Sequence, residues 1–134
     1  MTRWATVLAF VFSVTAPVSG FSQDLPPTTG KPCRQHPQLT GPCFTVHGAL
    51  RYYNGAPAVR IWKIGTDHLL GVSAGRFAVA GYCNLPTEFV DTLNAGKEVV
   101  ADFVVCPFTP ERAGEMQLVC VDSASNIKTK PYRF

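Results

Sequence analysis

Residues 44–64 read FTVHGALRYYNGAPAVRIWKI, and this stretch decides the fold. Phe44, Val46, Gly48, Leu50 and Tyr52 alternate with Thr45, His47, Ala49, Arg51 and Tyr53. A period of two with β-branched and aromatic residues is the pattern of a half-buried strand. Asn54-Gly55 follows and predicts a tight hairpin, because both central residues of a type I′ turn take positive φ. Ala58–Ile64 is then the return strand. Its pattern slips, since Val59 and Ile61 share one face while Trp62 and Ile64 share the other. A bulge near Trp62 or burial of both faces would account for the slip.

Downstream, Leu69–Val72 forms a third strand that can continue through Arg76 to Val79. From Pro86 to Ala95 the period changes. Phe89, Val90 and Leu93 stand at helical spacing, Pro86 suits a first-turn position, Glu88 complements the positive helix end and Gly96 suits the stop. Val99–Val105 is nearly continuous apolar sequence apart from Asp102, as in a strand covered on both sides. Pro107, Pro110 and Gly114 mark a loop, and Met116–Val121 is the last strong strand. The remaining polar residues to Phe134 read as a tail. The expected class is all-β with one short helix, in β-β-β-α-β-β order. From Cys43 to Val121 this order and size resemble the five-stranded OB-fold, although a small open sandwich would share them.

Upstream, Arg3 is the only charge before Asp24, and Trp4–Val14 is apolar except for Thr6 and Ser13. A basic start, a short apolar run and then Ala16, Pro17, Val18, Ser19 and Gly20 read as a signal peptide cleaved after Gly20. Pro17 interrupts the run before the roughly 20 residues that a bilayer span needs. Residues 21–42 hold five prolines between Asp24 and Pro42 and read as an extended leader. The domain is expected over residues 43–134. Export places the product in the bacterial periplasm or outside the cell, where disulfides persist.

Five cysteines then read as two staples and one spare thiol. Cys106 with Cys120 and Cys33 with Cys43 are natural pairs by position, leaving Cys83 free, although sequence alone does not fix connectivity. Cys33, His36, Cys43 and His47 are zinc-type ligands, but their spacing departs from finger patterns and exported thiols oxidise first, so no metal is expected. Cys83 with His68 as base would be a nucleophilic pair only if the fold joined them. Glu111 and Glu115 could act as an acid/base pair but suit a solvated loop better.

No phosphate-cradling glycine motif, GxSxG elbow or CxxC is present, and no cofactor is expected. The net charge is +3, from 12 basic and 9 acidic residues, too slight for a nucleic-acid polyelectrolyte partner. What remains is a face. If Val46 and Leu50 point inward, then His47, Arg51 and Tyr53 point outward, and Arg60 and Trp62 join them across the hairpin. Guanidinium groups beside indole, phenol and imidazole rings can stack on flat ligands and grip anions. The sequence thus reads as a small exported binding module whose ligand is a polysaccharide, a peptide or an envelope protein. A small secreted hydrolase and an inhibitor that inserts the loop from Pro107 to Gly114 into an enzyme are the alternatives.

Overall fold

The computed structural model describes residues 31–133 apart from Ala74, together with Ser13. The expected signal peptide, Ser13 aside, and residues 21–30 of the leader lie outside the described residues. The chain forms β1 (Phe44–Tyr52), β2 (Val59–Lys63), β3 (Leu69–Val72), α1 (Thr87–Asn94), β4 (Lys97–Pro107) and β5 (Gln117–Pro131). Short 3₁₀ turns cover Cys33–Gln35 and Gly75–Phe77.

β1 pairs antiparallel with both β2 and β4, β2 with β3, and β4 with β5, while β3 and β5 run parallel. The order β1-β2-β3-β5-β4 therefore closes on β1 as a barrel. Closure gives each strand one inner and one outer face. The inner faces supply Leu50, Ile61, Val99, Phe103, Val105 and Val119, all sealed from solvent. α1 covers this core with Phe89 and Leu93, and the Phe89 ring meets Phe103 edge-on at 6.0 Å. Gly96, at φ 75°, ends the helix where a side chain would be strained.

A second buried cluster joins the N-terminal segment to the barrel. Cys33, Cys106, Cys120 and Phe108 pack with Leu39 and Phe77. His36 is buried beside them: its Nδ1 accepts from the Gln38 N–H at 3.1 Å, so its Nε2–H donates to Phe77 O at 3.0 Å. Residues 31–42 are thus docked on the barrel. The bridges are Cys33–Cys120 and Cys43–Cys106, and Cys83 keeps its thiol. The positional pairs Cys106–Cys120 and Cys33–Cys43 are not formed. Instead Cys33–Cys120 ties the N-terminal segment to β5 and Cys43–Cys106 pins the residue before β1 to β4, proximities that only the folded chain creates. Each bridge is worth about 2–4 kcal/mol, most for long loops such as these.

Three local expectations are corrected. The Asn54-Gly55 turn is not type I′, because Asn126 is the only described non-glycine residue at positive φ. Pro57 packs over β3, where a Cβ on Gly71 would lie 2.6 Å from its Cγ, and the longer loop closes through the Tyr53 N–H to Ala58 O. β2 carries no bulge, since its register with β1 runs unbroken from Gly48 opposite Lys63 to Tyr52 opposite Val59. Trp62 simply faces outward. The polar residues after Val121 form no loose tail but the distal half of β5, paired with β4 through register shifts that erase the period of two.

The Arg34 backbone N–H and guanidinium both donate to the Asp122 carboxylate, at 3.1, 3.0 and 2.6 Å, fixing the docked segment to β5. Burial pushes the Asp122 carboxyl up, but Arg34 outweighs this and holds it below the usual range.

Gly48 stands where a Cβ would meet the Ile61 side chain and lie 2.8 Å from Trp62 O. Gly48→Ala should destabilise the domain by about 1–3 kcal/mol through overpacking, read as a lower urea midpoint. An unchanged midpoint would show that β2 moves aside freely. Because the folded Asp122 carboxyl lies below its unfolded value, its contribution is complete above that value and fades as pH falls through the folded one. The stability gap between wild type and Asp122→Asn should therefore shrink between about pH 5 and about pH 2. A gap independent of pH, measured by urea unfolding, would remove the ion pair from the account.

Candidate functional site

Opposed residues on neighbouring strands share a face, so the register sorts the outer wall into rows. One row runs Trp62, Ala49, Val100, Lys128 across β2, β1, β4 and β5. The next runs Arg60, Arg51, Glu98, Lys130, with Arg51 ion-paired to Glu98. On the other side His47 lies opposite Asp102, and Asp102 opposite Ser125. Ala49 and Val100 form an apolar floor between Trp62 and the lysine.

Arg51 and Arg60 face each other directly, an arrangement that like charges make unfavourable. Glu98 relieves it. The Arg51 Nε donates to one Glu98 oxygen, and Lys130 Nζ lies 3.7 Å from the other. Burial pulls the Arg51 guanidinium down, yet Glu98 outweighs it and keeps the group more basic than usual. The same guanidinium lies over the Trp62 ring at 5.3 Å and the Tyr132 ring at 4.8 Å. Two rings and a carboxylate thus fix its plane. Arg60 lies 5.2 Å over the Tyr53 ring while donating to Pro57 O and Asn54 O. Trp62 is half-buried, and its Nε1–H donates to Thr66 O at 2.7 Å.

His47 is exposed and stands apart from the arginines. Its Nδ1–H donates to Asp102 at 2.8 Å, and Asn126 Nδ2 donates to the second oxygen of the same carboxylate. The Asn126 and His47 hydrogen bonds hold Asp102 below the usual carboxylate range. The structure therefore brings Arg51 to Trp62 and Arg60 to Tyr53, and leaves His47 at the rim. Sequence reading missed Glu98, Tyr132, Lys128 and Lys130. The continuous apolar run of β4 gave no sign of an outward Glu98, and nothing in the polar residues after Val121 signalled a strand.

A second concavity lies between the β2–β3 turn and the loop joining β4 to β5. It has a volume of about 670 Å³ and is lined among others by Lys63, His68, Glu111, Arg112, Glu115 and Gln117. A smaller hollow of about 330 Å³ shares Lys63, Glu111 and Gln117 with it. The two carboxylates considered as an acid/base pair thus border one cleft. His68 borders it too, beside Asp67 at 3.6 Å, whereas the Cys83 thiol donates to Leu85 O. The zinc-type quartet is not assembled: Cys33 and Cys43 sit in separate bridges, and His36 and His47 hold other partners.

No protein-family model, curated protein or solved structure matches the chain.

Arg51→Ala should destabilise the domain by about 3 kcal/mol, the low end for breaking a buried ion pair, because it leaves the buried Glu98 with only an exposed lysine. Adding Glu98→Gln should recover most of that loss in thermal or urea unfolding. No recovery would mean that the ring contacts, and not the charge, dominate at Arg51.

Proposed function

We propose that the chain is an exported, disulfide-stapled module with an OB-like barrel that binds an acidic polysaccharide of the cell envelope or its surroundings, without a cofactor. The observation that carries this reading is the half-buried Trp62 ring in a wall whose guanidinium groups are pre-oriented by other rings. A flat indole offers a sugar ring an apolar face at low conformational cost. The held guanidinium groups offer carboxylates or sulfates paired donors. Lys128 and Lys130 extend the cationic side along β5, so the wall carries more positive than negative groups. His47, Arg51, Tyr53, Arg60 and Trp62 are the proposed contacts.

Export rests on the basic start and apolar run of the first 20 residues, and the two disulfides fit an oxidising compartment. Among the described residues no helix is long and apolar enough to cross a membrane. The five-stranded order, with α1 between β3 and β4, supports the OB-like reading, in which the first hairpin lies near the surface that such barrels use for oligomeric ligands. Fold analogy carries no more than that. A second reading is favoured by the cleft at the β4–β5 loop: a small hydrolase using Glu111 and Glu115.

Affinity electrophoresis in gels containing polygalacturonate or neutral dextran separates these readings. Wild type should be retarded by polygalacturonate and not by dextran. Trp62→Ala and Arg60→Ala should each weaken retardation at least tenfold in chains that still show a cooperative thermal unfolding transition. Retardation that persists in both variants removes the face. Shortening of the polymer that disappears in Glu111→Gln with Glu115→Gln would make the protein a hydrolase.

A further inference from the structure

Four sulfurs meet where the N-terminal segment crosses β4 and β5, and their order of exposure is uneven. Cys33, Cys106 and Cys120 are sealed, at 1%, 0% and 0% exposure, whereas Cys43 is partly open. The sulfurs of Cys33, Cys106 and Cys120 lie within 4.8 Å of one another, although Cys106 is bonded to none of the other two. Cys106 and Cys120 are also directly opposed in the β4–β5 ladder. Opposed residues in an antiparallel pair have Cα atoms about 4.5–5.5 Å apart, within the span a disulfide bridges. The barrel therefore holds ready a third pairing that it does not use.

We propose that this cluster is a thiol–disulfide exchange relay, in which an external thiol attacking Cys43 moves the inner bridge to Cys106–Cys120 and frees Cys33. The incoming thiolate bonds to Cys43 Sγ, the Cys43–Cys106 bond breaks, and Cys106 leaves as a thiolate. Its electron pair then forms a bond to Cys120 Sγ, the Cys33–Cys120 bond breaks, and Cys33 leaves as a thiolate that takes a proton. A second external thiolate attacks the mixed disulfide, releases Cys43 and departs as the external disulfide. Two external thiols are oxidised, one protein disulfide is reduced, and one is rearranged.

Exposure sets the point of entry, because attack requires access and only Cys43 offers it. Proximity sets the second step. A thiolate released among buried sulfurs meets its neighbouring disulfide at high effective concentration, with no diffusion required. The outcome is also directional. In the starting state Cys33–Cys120 ties the N-terminal segment to β5 and Cys43–Cys106 pins the residue before β1 to β4, whereas the product bridge joins β4 to β5 and leaves the segment untied. After exchange the segment keeps contacts such as Arg34 with Asp122 but no covalent tie beyond its own chain connection. Cys83, which donates to Leu85 O, takes no part.

The oxidised chain treated with limiting glutathione, quenched in acid, alkylated and peptide-mapped tests the relay. The expected one-bridge species carries a Cys106–Cys120 link with Cys33 and Cys43 alkylated, and the same map appears in Cys83→Ser. Retention of Cys33–Cys120 with Cys43 and Cys106 alkylated would overturn the relay. So would a Cys33–Cys106 link, reduction straight to four thiols, or a map that changes without Cys83. The test reads sulfur connectivity alone, so its failure leaves the proposed binding face untouched.

Discussion

The pairing of β1 with β4 is the constraint on which the rest of the structure depends. Without it the five strands would be an open sheet with two bare edges. With it every strand acquires two sides, one toward Leu50, Ile61 and Phe103 and one toward solvent. That division decides which of two alternating sets of residues becomes core. It also lines up Arg60 and Arg51 of the first hairpin with Glu98 and Lys130 from strands distant in sequence. The outer wall is therefore a product of closure as much as of side-chain choice.

A domain this small buries a limited share of its surface, and its stability leans on cross-links. The second cluster serves that need. Cys33 and Cys43 bring the proline-rich segment onto β4 and β5, and Phe77, Phe108 and His36 fill the space around the sulfurs. Segment and barrel thereby share one apolar patch, so the segment is better described as a strap than as a leader where it is described.

What was legible in the sequence was local. The period of two from Phe44 to Tyr52, the helical spacing of Phe89 and Leu93 and the apolar run of β4 each report an element through its own residues. What was illegible was relational. Cys120 lies nearer to Cys106 in sequence than to Cys33, yet the strap reverses that order in space. The distal half of β5 is polar because it borders solvent, and its register shifts and the positive φ of Asn126 break the alternation that would have revealed it. The candidate face follows the same rule: its five proposed residues followed from alternation on β1 and β2, whereas Glu98 and Tyr132 required knowing which strands close the barrel.

Distal β5 also poses a hazard of association. Among the described residues the ladder partners of Ser123 to Pro131 are on β4 alone, which leaves the other margin with backbone donors and acceptors of the kind a second chain could copy. Lys128, Lys130 and Pro131 lie along that margin, two like charges and a residue lacking an N–H. Lysine and proline on a strand margin disfavour intermolecular sheet growth, and here they flank the exposed Ile127.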